Sequence, residues 1–302
     1  MTNFQHLAGV YAAALTPLSP NQTINPEQIL QLLDYLARRG CHGALLLGTT
    51  GEGPSFAPSE RAVLLRAASQ VRQTHPDFRL LAGTGTPSLQ ETIELTQAAF
   101  DLGMDGVVVL PPYYFRKASD DGLFAWFSQV LRSAVPSGSP LLGYHIPPVS
   151  GVPLSVDLLA RLRDTFPDRF AGIKDSSGDP EHARQLSECF GKDMIILSGN
   201  DRLFSFALQN SASGSITALA NLFSPDLRRL WDAHQRGEQD GLVQARLDAR
   251  KDILDRYPPA PPTLKALLRR WHNFPLWDVR PPLIPLSTET EEKVAAEFEA
   301  LQ

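Results

Sequence analysis

Cysteine is scarce: the chain has two, Cys41 and Cys189, far apart and outside any CxxC or Cys/His spacing. A disulfide framework and a cysteine zinc site are therefore not expected. Long apolar runs are missing too. No window stays apolar for the length of a membrane span, and Met1 to Gly9 holds no basic stretch leading into an apolar one. Neither an anchor nor a secretory leader is predicted, and the expected compartment is the cytoplasm. Charge of one sign does not accumulate. The net charge of -5 is spread without runs, which leaves no footprint for nucleic acid or an anionic membrane. A GxGxxG following the first apolar run is also lacking, which removes the simplest dinucleotide fingerprint. What remains is globular in character. With 302 residues, 43% of them hydrophobic and 20% charged, the chain can bury one large α/β core or two ordinary ones.

Short apolar runs recur along most of the length, each followed by a helix-start signal. The runs are Val10 to Pro17, Gly43 to Gly48, Leu80 to Gly85, Gly106 to Pro112, Leu141 to Pro147, Phe170 to Ser176, Met194 to Asn200 and Ser213 to Ala218. Helices are predicted from Pro26 to Gly40, from Pro58 to about Thr74, and from Ser88, Ser119, Ser155, Pro180, Asp201 and Pro225. The runs lack two-residue alternation, as strands buried on both faces do. About eight strand–helix pairs predict an α/β protein with a closed (β/α)8 TIM barrel and additional C-terminal helices. An open doubly wound sheet is the alternative, though it usually has fewer units. After Gly237 the pattern is helical and broken by Pro258 to Pro262 and Arg280-Pro281-Pro282. The expected division is residues 1–236 as barrel and 237–302 as a helical extension packed on it, with a separate small helical domain as the alternative.

In such a barrel the functional face lies at the carboxyl ends of the strands, so the residues there carry the information. The sixth run, Phe170-Ala171-Gly172-Ile173-Lys174-Asp175-Ser176, delivers a lysine as it leaves the core. Lys174 is either an amine nucleophile toward a carbonyl or a solvated surface residue. Gly48-Thr49-Thr50-Gly51-Glu52-Gly53 ends the second run. It suits a carboxylate or phosphate, because small residues admit close approach and backbone N–H groups join two hydroxyls; a glycine-rich turn with capping threonines is the competing reading. Tyr113, Tyr114 and Phe115 follow the fourth run, and Tyr144-His145-Ile146-Pro147-Pro148-Val149 ends the fifth. Side chains alternate along a strand, so an inward Tyr144 predicts an outward His145, used in packing or as a partner to a nearby backbone group. Gly199 and Ile216, at the ends of the seventh and eighth runs, are further substrate-contact candidates beside Gly48 and Gly51.

An amine on one strand, a phenol on the next and a small-residue anion site suit imine chemistry on an α-keto acid. The lysine forms the Schiff base, the anion site holds the carboxylate and the phenol relays protons. No metal or separate cofactor is called for, because the protonated imine is the electron sink.

Gly48-Thr49-Thr50-Gly51-Glu52, Tyr113-Tyr114, Tyr144-x-Ile146-Pro147 and Gly172-Ile173-Lys174 stand in the order and approximate spacing of the dihydrodipicolinate synthase and N-acetylneuraminate lyase family. The chain resembles that family over essentially its whole length. The resemblance implies a barrel of pyruvate-type class I aldolases, commonly tetrameric, and hence a homo-oligomer. It implies Lys174 as Schiff-base lysine, Tyr144 as proton carrier, Thr50 with Thr49 as carboxylate binders, and Tyr114 as completing the hydroxyl relay through Thr49. The departures concern the second substrate. Val149 stands where true synthases usually carry an arginine, and a bidentate carboxylate partner is thereby missing. Tyr144-His145-Ile146-Pro147-Pro148-Val149-Ser150-Gly151 is similar to the sialic acid lyase branch, yet Thr49 stands for its usual serine. His145 replaces an asparagine common to both branches, Asn200-Asp201 lacks the lyase glutamate, and Pro87 stands where lysine-inhibited synthases tend to have asparagine.

The sequence therefore predicts a lyase that reversibly splits a 4-hydroxy-2-oxo acid, of the 2-keto-3-deoxy sugar-acid type, into pyruvate and an aldehyde. Phe115, His145, Val149 and Thr217 are expected around the aldehyde. Dihydrodipicolinate synthase proper and a dehydratase or hydratase-aldolase are the alternatives within the enzyme class. A keto-acid binding protein without turnover is the alternative outside it.

Overall fold

The computed structural model describes residues 3–301. Every one of the apolar runs contains a strand, and Tyr144, His145, Lys174 and Asp175 are still part of it at the ends of the fifth and sixth. The strands are β1 (Gly9–Ala13), β2 (Gly43–Leu46), β3 (Arg79–Gly83), β4 (Gly106–Val109), β5 (Leu141–His145), β6 (Phe170–Asp175), β7 (Ile195–Ser198) and β8 (Gly214–Thr217). They follow one another in sequence order around a closed barrel. The helices are α1 (Pro26–Arg38), α2 (Pro58–Ser69), α3 (Leu89–Asp101), α4 (Asp120–Ala134), α5 (Pro147–Ser150), α6 (Val156–Thr165), α7 (Pro180–Phe190), α8 (Phe204–Gln209), α9 (Ala220–Gln235), α10 (Gly241–Asp255), α11 (Ala260–His272) and α12 (Thr288–Glu299). The fold is thus a TIM barrel with C-terminal helices. None of the described helices is long and apolar enough to cross a membrane.

Helix starts follow local chemistry. Asn25, Ser88, Ser119 and Ser155 each accept a backbone N–H in the first turn of the helix they open, which satisfies a donor the helix itself leaves unpaired. Two boundaries differ from the sequence expectation. The helix begun at Pro58 gives way after Ser69 to a 3-10 turn over Gln70–Gln73. The helix expected from Pro225 already begins at Ala220, but Phe223 is non-helical (φ -122°, ψ 29°). A proline cannot donate to the preceding turn, so the chain kinks there and Pro225 opens the second part. The single turn α5 is an element the periodicity did not reveal, being too short to show one.

The chain divides into two compact units: the segment up to Gly9 with Arg79–Ile216, and Val10–Phe78 with Thr217 onward. In the first unit β3 to β8 run parallel. Gly143, Tyr144 and His145 of β5 stand in register with Ile173, Lys174 and Asp175 of β6, which in turn places Lys174 beside Leu197 of β7. Gly172 is needed where it is, since a Cβ there would lie 1.9 Å from the carbonyl oxygen of Ile195. In the second unit Tyr11, Ala12 and Ala13 of β1 pair with Gly43, Ala44 and Leu45 of β2. Helix α1 buries Ile29, Leu32, Leu33 and Leu36. The C-terminal helices belong to this same unit and contribute Leu264, Leu267, Leu268, Val294 and Phe298 to its interior.

Candidate active site

β6 is buried along its whole length, and Lys174, one residue before its end, is 3% exposed. Its register partner Tyr144 is buried as well, and the Lys174 Nζ stands 4.1 Å from the centroid of the Tyr144 ring. That is the contact of an amine lying over an aromatic face. The two residues predicted to form and serve an imine are therefore in contact.

One residue further along each strand the side chains point the other way. There His145 and Asp175 are in register, and the His145 ring stacks on His182 of α7 with centroids 4.4 Å apart and planes 24° apart. His145 is thus packed beside its neighbours on the face that Tyr144 does not use. The Leu154 N–H donates to its Nδ1 at 3.0 Å, which fixes the neutral ring with its proton on Nε2. Burial, with the neighbouring His182 second, pulls His145 down to about 4. Burial raises Asp175 above the usual carboxylate range, opposed by the Ser177 N–H, which donates to Oδ1 at 3.0 Å. One possible ligand atom from each of His145, Asp175 and His182 falls within 4.8 Å of the others. Nδ1 of His145 already accepts the Leu154 N–H and Asp175 Oδ1 the Ser177 N–H, while the His182 Nε2 is buried without a hydrogen-bond partner. A cavity of about 650 Å³ borders it, lined by His145, Pro147, Leu154, Ser177, Asp179 and His182 among others.

Val149 lies on α5 with 58% of its surface exposed. Gly199 ends the β7 strand run against Ser176: a Cβ there would fall 1.8 Å from the Ser176 hydroxyl, and its N–H donates to the Asp175 carbonyl at 2.6 Å. Ile216 is fully buried on β8, as is Thr217. In the loop after β4 the aromatic pair Tyr114 and Phe115 is 77% and 74% exposed, its rings edge to face at 5.2 Å. A single chain therefore leaves Tyr114 in solvent.

The Thr49–Thr50 loop belongs to the second unit. Thr49 is exposed and Thr50 half-buried, while Gly48 and Gly51 are buried. The turn is tight: the Glu52 N–H donates to the Thr49 carbonyl and the Gly53 N–H to the Gly48 carbonyl, both at 3.1 Å. Leu47 and Glu52 both adopt left-handed backbone (φ 58° and 56°), a conformation that non-glycine residues hold only where surroundings impose it. What imposes it at Glu52 was not predicted. Its carboxylate is buried against Lys265 of α11, Oε1 to Nζ at 2.5 Å, with 1% and 2% of the two side chains exposed. The sequence does carry one signal for this, a lysine inside the apolar stretch Pro261-Pro262-Thr263-Leu264-Lys265-Ala266-Leu267-Leu268.

A buried amine and a phenol in contact on adjacent strands of a closed (β/α)8 barrel are the arrangement of the class I, lysine Schiff-base lyases. The chain belongs to the dihydrodipicolinate synthetase family, whose model matches residues 6–301, and this family works through the lysine imine without a separate cofactor. An uncharacterized DapA-like lyase of Chloroflexus aurantiacus is 37% identical over 294 residues, 97% of this chain and 96% of the relative. A 4-hydroxy-tetrahydrodipicolinate synthase of Corynebacterium urealyticum is 35% identical over 80% of this chain and 77% of its own. Among solved structures, YagE of Escherichia coli K12, a prophage protein of the same family in complex with pyruvate, superposes with a TM-score of 0.91 at 25% identity, covering 98% of each chain.

Proposed function

We propose that the protein is a pyruvate lyase that reversibly cleaves a 4-hydroxy-2-oxo acid of the 2-keto-3-deoxy sugar-acid type. The observation that carries this reading is the contact of Lys174 with Tyr144. The Lys174 amine attacks the C2 carbonyl, and Tyr144 protonates the departing hydroxyl as the carbinolamine loses water to give the iminium. The Tyr144 phenolate then takes the C4 hydroxyl proton while the C3–C4 bond breaks, the aldehyde leaves, and the bond electrons move into the iminium to give an enamine. Protonation at C3 and hydrolysis release pyruvate and the free amine. Thr49 and Thr50 hold the carboxylate throughout. The YagE structure in complex with pyruvate supports the choice of keto acid.

Val149 supports a neutral, hydroxylated second half. Its apolar side chain gives no bidentate cation to a second carboxylate, as condensation with aspartate semialdehyde would ask. The relative named as a synthase keeps that activity as the second reading, and a direct condensation assay separates the two. The exposed pair Tyr114 and Phe115 supports a homo-oligomer, because large neighbouring aromatics in solvent mark contact surfaces. The test is borohydride reduction of the protein with pyruvate. A mass increment on Lys174 is expected, and its absence removes the imine mechanism. Pyruvate release from a panel of 2-keto-3-deoxy acids, coupled to a dehydrogenase, then identifies the aldehyde.

A further inference from the structure

The loop that carries Thr49 and Thr50 is fastened from a distant part of the chain. Glu52 sits two residues beyond Thr50, and its two carboxylate oxygens have different partners: Oε1 accepts from Lys265 Nζ at 2.5 Å and Oε2 from the backbone N–H of Arg280 at 3.1 Å. Lys265 makes a second bond, to the Asp278 carbonyl at 2.6 Å, so the ammonium ties helix α11 to the irregular segment leading to Arg280. The Arg280 guanidinium then reaches the other end of the loop. It donates to the carbonyls of Ser55 (3.0 Å) and Gln22 (2.9 and 3.0 Å), forks onto both Glu60 oxygens (2.8 and 2.5 Å) and covers the Phe56 ring at 4.6 Å. On the near side the Thr16 hydroxyl donates to the Gly51 carbonyl at 2.6 Å.

Stability alone does not account for such a pair. Two charges removed from water cost desolvation that their attraction roughly offsets, and apolar residues of the same volume usually hold a fold as well. What apolar residues could not do is accept on two oxygens at once. The residue held on both oxygens is the one in left-handed conformation within the hydrogen-bonded turn from Gly48 to Gly53. The glycine at 53 fits the same constraint, since a Cβ there would lie 1.9 Å from the Leu47 carbonyl oxygen.

We infer that Lys265, through its ammonium, and Arg280, through its backbone N–H, are positioning residues: acting through Glu52, they hold Thr49 and Thr50 in the geometry that grips the keto-acid carboxylate. This rests on the pyruvate reading given above. The residues touch no reacting atom in the scheme, and their effect is on affinity rather than on the chemical step.

The test uses the full chain. Glu52→Gln/Lys265→Met removes both charges at nearly constant volume, so no lone charge is left buried. Two quantities are measured against wild type: hydrogen exchange of the amides of residues 48–53, and the pyruvate concentration that half-saturates borohydride trapping on Lys174. Faster exchange in that segment and a half-saturation raised about tenfold or more, with the same limiting extent of trapping, are expected. Wild-type exchange and wild-type half-saturation in a folded double variant overturn the inference. Should the double variant not fold, Glu52→Gln carries the test in the same direction, because its amide accepts on one oxygen only and so breaks the double acceptance while Lys265 keeps the Asp278 carbonyl. A wild-type protein that gives no adduct brings down the pyruvate reading and this inference together. Trapping in the wild type with variants indistinguishable from it brings down the inference alone.

Discussion

At the scale of residues, the arrangement separates two neighbouring pairs by the alternation of a strand. Lys174 and Tyr144 meet on one face of β5 and β6, and His145 and Asp175 on the other. Lys174→Ala should abolish the pyruvate adduct while leaving the far-ultraviolet spectrum unchanged; loss of that spectrum would assign the lysine a structural part instead. Tyr144→Phe keeps the ring under the amine and removes only the proton carrier. Turnover should then fall by about 10²–10⁴-fold with little change in pyruvate affinity, as steady-state kinetics would register. His145 gives a pH signature. Its folded value is held near 4, against an ordinary value of 6.5, so between those limits the unfolded chain binds the additional proton. Stability should therefore fall as pH drops from 6.5 to 4, by roughly 3 kcal/mol from this group. Denaturant midpoints measured across that window should show the slope, and His145→Asn should flatten it. An unchanged slope in the variant would place the titration elsewhere.

At the scale of elements, what the sequence could disclose depended on whether its cause was local. The strands were readable because a strand buried on both faces needs an unbroken apolar run, and helix starts were readable because Ser, Asn and Pro satisfy or spare the first-turn donors. Lys174 and Tyr144 were readable for the same reason: each stands near the end of such a run. The kink before Pro225 was readable only as a boundary, set a few residues late, because the turn preceding a proline keeps helical contacts of its own. The partners of Glu52 were not readable at all, since 213 residues separate it from Lys265 and no periodicity spans that interval. The stacking of His145 on His182 was hidden likewise, as it depends on how α7 lies against β5. At this scale Gly172 is the most sensitive position. A methyl group there would meet the Ile195 carbonyl of the next strand, and both partners are backbone, so β6 would have to move. Gly172→Ala should lower stability by about 3 kcal/mol and reduce trapping on Lys174, both measurable on the purified variant.

At the scale of the whole molecule, a prediction concerns assembly. Tyr114 and Phe115 stand in solvent in one chain, and light scattering should find the protein as a multiple of the single-chain mass. Tyr114→Ser/Phe115→Ser should shift that mass downward. A wild type that is monomeric and fully active would show that these aromatics serve no subunit contact.

The buried pairing of Glu52 with Lys265 bears on how freely such a chain could be cut or recombined. A fragment ending at residue 236 would contain every strand among the described residues, yet it would bring a carboxylate into its interior with no cation to meet it, a defect of roughly 3–5 kcal/mol. Cutting the chain where the strands cease is therefore expected to destabilise what remains, as denaturant midpoints of such a fragment would show. Exchanging the final helices between relatives becomes a question of whether the incoming segment brings an ammonium to that one acid, more than of whether its surface fits.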